Sequence, residues 1–203
     1  MANLLKRHQE RVIEDPPFVR TLFNDVRFSA LWLVLRIWLG YQWIEAASHK
    51  IGNPAWVVTG DALKGYWSNA VAIPEGGQPA IAFDWYRSFI QGLLDAQAYT
   101  WFAKLVAYGE LLVGIALILG AFVGIAAFFG AFMNWNFMMA GSASINPLLF
   151  VAALLLIFAW KTAGFLGLDY FLLNWLGTPW GRRRAARPES LRREPASAPS
   201  SGD

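Results

Sequence analysis

The chain has 203 residues, of which 56% are hydrophobic and only 15% charged. Soluble domains carry about 25% charged residues, so a soluble enzyme, a disordered chain and a collagen are excluded, and the 11 Trp point to membrane interfaces. The formal net charge of +3 hides a concentration at the ends: of 17 basic residues, five lie in residues 1–28 and six, all Arg, in residues 181–203.

In chain order, residues 1–28 form a polar N-terminal segment with no apolar core of the kind a secretory signal needs. Four apolar stretches follow, at about Ser29–Lys50, Trp101–Phe122, Gly124–Ala140 and Pro147–Leu168, each of a length that spans a bilayer as a helix. The predicted fold is therefore all-α, an integral membrane four-helix bundle over residues 29–180. With four spans and basic ends, both termini are expected in the cytoplasm and the protein in the cell membrane as a multi-pass chain. The long outer loop, residues 51–98, predicts short amphipathic helices, with Asp61 and Asp84 as N-caps and Pro74–Pro79 as the break between them. The second of these helices presents Trp85, Phe89, Ile90, Leu93 and Leu94 as an apolar face for the outer leaflet. The tail from residue 181 has a disordered composition and reads as a topology signal touching anionic lipid, not as a nucleic-acid arm.

Ionisable side chains inside apolar spans are expensive and usually face the bundle in pairs. At about 1.5 Å per residue, Arg36 falls at the depth of Glu110 and Glu45 at the depth of Lys104, which predicts two ion pairs. Asn134 and Asn136 lie in the outer half of the third span, and Glu45 shares a helical stripe with His49. Either pair taken singly reads as a register lock; the two together with the amides and His49 read as a site. With no Cys, and only His8 and His49, a bis-His haem, a copper centre and thiolate or iron–sulfur ligation are not expected on this chain. Redox chemistry here calls for a diffusible carrier such as a quinone, or for a cofactor on another subunit.

Several blocks resemble the DoxX family: Arg36-Ile-Trp-Leu-Gly40, His49-Lys50, Gly109-Glu110 and the Gly/Ala-rich third span. NPAW (53–56), TGDALKGYW (59–67), DWYRSFI (84–90), the Ala98–Gly120 stretch, FMNWNFMMAGSASINP (132–147) and GLDYFLL (167–173) are similar to DoxD-type members in particular, so the match covers about residues 29–180. The resemblance implies a four-helix membrane subunit of a thiosulfate:quinone oxidoreductase, or one associated with a terminal quinol oxidase, with a second subunit or a homo-oligomer completing it. On that basis Glu110, Glu45 and Lys104 are the expected catalytic residues: the acids exchange protons with the quinone, and Lys104, Lys50 and His49 attract a reduced sulfur anion. Arg36, Trp43, His49, Lys50, Tyr108, Asn134 and Asn136 are the expected substrate and quinone contacts, and no metal site is expected. Two other classes compete: a non-catalytic scaffold or assembly subunit of a respiratory complex and, more weakly, a small-molecule transporter.

Overall fold

The computed structural model describes residues 15–175 and is all-helical, with no strand among the described residues. The tail at 181–203 and residues 1–14 of the N-terminal segment lie outside them.

Helix α1 (Pro17–Asn24) starts at a proline, whose missing N–H is no loss in a first turn. A short 3-10 turn at Val26–Phe28 leads into α2 (Ser29–Ile51). The loop then folds as α3 (Pro54–Val57), α4 (Asp61–Val71) and α5 (Asp84–Asp95). Three long helices follow: α6 (Tyr99–Leu119), α7 (Val123–Met139) and α8 (Asn146–Phe158), then the short α9 (Trp160–Ala163) and α10 (Asp169–Trp175). Helix α6 is long and apolar enough to cross a membrane, by length and composition, while α7 and α8 are apolar but shorter.

Helices α2, α6, α7 and α8 pack as a closed square in that order, each touching two neighbours. The tightest seam joins α2 to antiparallel α6, because glycine faces glycine. A Cβ on Gly40 would lie 2.9 Å from the Gly114 carbonyl oxygen, and a Cβ on Gly114 would lie 2.9 Å from that of Gly40. The two backbones therefore touch, and this contact fixes which residues stand level across the seam. The square buries one core around Leu39, Trp43, Leu117, Val123 and Leu156. Outward, it exposes Val34, Leu105, Leu112, Phe128, Phe132 and Val151, so its perimeter is as apolar as its interior.

A second core sits on one end of the square, where Leu63, Trp67, Ile81, Tyr86 and Ile90 of the loop helices close over Ala98, Ala103 and Ala140. This is the capped end. The opposite end is closed by α1 and α9: Trp32 Nε1 donates to the Leu22 carbonyl at 3.0 Å, and the Thr162 hydroxyl donates to that of Phe23.

Three local expectations change. Asp61 and Asp84 are not N-caps but the first residues of their helices, with Gly60 and Phe83 before them; there they still favour the positive end of the helix dipole. Helix α5 buries Tyr86 and Ile90 while Trp85 and Phe89 face outward, because the loop core claims the stripe one residue over. The fourth apolar stretch is not one helix: it breaks at Ala159, and beyond the break the carbonyls of Ala163 and Leu166 turn to a guanidinium.

Candidate functional site

Beneath the cap lies a cavity of about 460 Å3, within the range of small-molecule sites. Trp56 of α3 with Leu63 and Tyr66 of α4 form its roof, and Trp43 forms its inner wall. Glu110 stands on the α6 side, Asn134 and Phe137 on the α7 side, and Gln42, Glu45, Ala46, His49 and Lys50 line it from α2. Ser142, Ile145, Asn146 and Leu149 complete it at the start of α8.

The charged centre is Lys50 with Glu110. The ammonium lies 2.9 and 2.7 Å from the two carboxylate oxygens, and Glu110 is 1% exposed while the Lys50 side chain is 18% exposed. Lys50 also stands 5.3 Å from the centroid of the Trp56 ring, so the roof carries a cation–π contact.

Next to this pair are polar groups that the protein leaves unpaired. Asn134 is fully buried, yet neither its Nδ2 nor its Oδ1 has a hydrogen-bond partner. The Trp43 indole N–H is buried and unpaired as well. Its ring lies against the backbone of α7 at Gly130, where a Cβ would come within 3.1 Å of Nε1. An unsatisfied buried donor or acceptor costs about 1–3 kcal/mol. Trp43 and Asn134 line the cavity with other parts of their side chains, while these three atoms are packed against the protein and have no accessible surface.

The roof side is well satisfied. Tyr66 donates to the Phe137 carbonyl at 3.3 Å, and Tyr86 donates to Asn136 Oδ1 at 3.0 Å and to its carbonyl at 3.2 Å. Burial pushes the Tyr86 phenol up to about 12, with nearby Tyr66 adding to it. Burial raises Tyr66 too, against a hydrogen bond with Ser142.

The two predicted ion pairs do not form, for one reason. Side chains on a helix lean toward its own N-terminus. With Gly40 opposite Gly114, Glu110 is level with Ile44 and Arg36 with Ile118, about 12 Å away along the axis. Arg36 leans from there to the far end of the bundle, and Glu110 leans to the cap, so they diverge. Glu45 and Lys104 diverge in the same way. Lys50 and Glu110 lean toward each other across about 9 Å of axial offset, and they meet.

Of the predicted site residues, Glu110, Glu45, Trp43, His49, Lys50 and Asn134 share the cavity. Lys104 and Tyr108 do not: each follows a buried residue of the inward stripe (Ala103, Ala107) and is turned out by about 100°. Asn136 belongs to the roof lock with Tyr86. Arg36 sits at the other end, where Nη1 donates to the Ala163 carbonyl at 2.9 Å and Nη2 to that of Leu166 at 3.0 Å. Beside it, buried Asp169 accepts the backbone N–H groups of Phe122 at 2.5 Å and Val123 at 2.9 Å, capping α7. Trp56 and Tyr66 were missed as site residues, since nothing in their local pattern tells that the loop folds back over the spans.

No family model, curated protein or solved structure matches the chain.

Proposed function

We propose that this chain is a DoxX-like, DoxD-type membrane subunit of a quinone-linked oxidoreductase, with a reduced sulfur anion such as thiosulfate as electron donor. The observation that carries the reading is the cavity beneath the aromatic roof with the Lys50–Glu110 pair on its wall. A quinone carbonyl accepts from the Lys50 ammonium, and the quinol hydroxyl donates to the Glu110 carboxylate. The site can therefore hold both ends of a two-electron, two-proton exchange. Glu110 is the acid or base within the cavity, and Lys50 orients it. His49 and Lys50, at the capped end, draw in the anion that supplies the electrons.

The same reading makes α2, α6, α7 and α8 with α9 the four spans of a bundle whose apolar perimeter faces lipid. Both chain ends are then cytoplasmic and the capped cavity lies in the outer half, where a second subunit or a second copy docks. The test is quinone reduction on addition of thiosulfate, by the full chain in nanodiscs with its native quinone. Turnover is expected, and Glu110→Gln is expected to abolish it while the protein stays folded. An assembled, folded protein that reduces no quinone, alone or with its genomic neighbours, removes the enzyme claim.

A further inference from the structure

The cavity is closed on three sides of the helical square. On the α2–α6 side the Gly40–Gly114 contact and the Lys50–Glu110 pair close it, and α6, α7 and α8 pack in close sequence behind. The roof of Trp56, Leu63 and Tyr66 covers it from the capped end. The remaining side is the seam between α2 and α8, where the two helices touch lightly. There Ala46 and His49 form one lip, and Ile145 and Leu149 the other. Glu45, also lining the cavity, is exposed at the same lip. A carboxylate standing against acyl chains is costly unless a polar group passes or rests there. Beyond the lips the outer surface of α8 is apolar, with Leu148 and Val151 exposed.

We propose that this seam is a lateral portal: the cavity takes an amphiphile sideways from the bilayer, its carbonyl-bearing head at the Lys50–Glu110 pair and its apolar tail lying between α2 and α8. The inference rests on the quinone reading and adds the route and the requirement for a membrane-anchoring tail. It explains why the small residue, Ala46, is at the lip. The head must travel past the lip, and the tail must remain in it.

The test uses a benzoquinone with a diazirine on its alkyl tail, photolysed with the full chain in nanodiscs, the labelled peptides being read by mass spectrometry. Competable labelling within residues 41–49 and 145–152 is expected. Competable labelling confined to the roof, residues 54–71, overturns the portal and leaves the quinone reading standing. No competable labelling anywhere around the cavity overturns both. As a second measurement, Ala46→Trp is expected to weaken binding of a long-tailed quinone about tenfold, with the tailless ring binding as before. Equal weakening of both ligands, or of neither, overturns the portal.

Discussion

At the end of the bundle closed by α1 and α9, buried charge is used up by the backbone: Arg36 serves two carbonyls and Asp169 serves two N–H groups. At the capped end, Lys50 and Glu110 serve each other beside a cavity. The far end is also tight. A side chain on Gly120, at φ +69°, or on Gly167 would run into the Arg36 guanidinium, and one on Gly164 would meet the Asp169 carboxylate at 2.6 Å. The capped end has a cavity where the far end has glycine backbone. Residue types alone do not separate a lock from a site; what separates them is whether the packing leaves a cavity beside the buried charge.

Double substitutions break this comparison most directly. Lys50→Met alone leaves Glu110 buried without its cation, a loss of about 3–5 kcal/mol. Adding Glu110→Leu should recover most of it, because beyond the pair only the cation–π contact of Lys50 with Trp56 is lost. Arg36→Met should be as damaging, but adding Asp169→Leu should recover nothing. The carbonyls of Ala163 and Leu166 and the N–H groups of Phe122 and Val123 would then all lose partners, at about 1–3 kcal/mol each. Thermal unfolding of the wild type and these four variants in one detergent measures both recoveries. Recovery at the Arg36 end equal to that at the Lys50 end would erase the distinction.

Much of this was legible in the sequence. The four apolar stretches and the helical loop follow from composition and spacing, and six of the sixteen residues lining the cavity were expected at a site. The ion pairing was misread because register and lean were not known: residues of an antiparallel pair stand on opposite sides of the shared plane and point apart when each lies N-terminal of it, as Arg36 and Glu110 do. The Gly40–Gly114 contact sets that plane, and only the packed structure reveals which glycines meet. The outward turn of Lys104 and Tyr108, by contrast, was readable from the stripe Ala103, Val106, Ala107, Glu110. Asp169 lay one residue past the fourth apolar stretch. Its role depends on a break in that stretch that hydropathy does not signal.

A medium-sized effect sharpens the contrast at a single position. Asn134→Leu replaces two unpaired buried polar atoms by apolar ones of similar volume. It should raise stability by about 1–3 kcal/mol, the reverse of most buried substitutions. Melting temperature reads it. A destabilised Asn134→Leu would mean that the amide is structural.

The smallest effect concerns the roof, where the Tyr66 and Tyr86 hydroxyls are hydrogen-bonded to α7. Tyr86 holds its proton to about pH 12 because burial disfavours the phenolate. An unfolded tyrosine ionises near pH 10. The folded-state value is the higher one, so the stabilisation from the neutral phenol is complete below about pH 10 and is lost as pH rises through about 12. Tyr86→Phe gives up the hydrogen bonds to Asn136, which lowers the melting temperature slightly at neutral pH, but it removes this ionisation. The wild-type and variant melting curves should therefore converge between pH 10 and 12. Parallel curves across that interval would place the alkaline transition on another group, with Tyr66 at the same roof the first to examine by the same substitution.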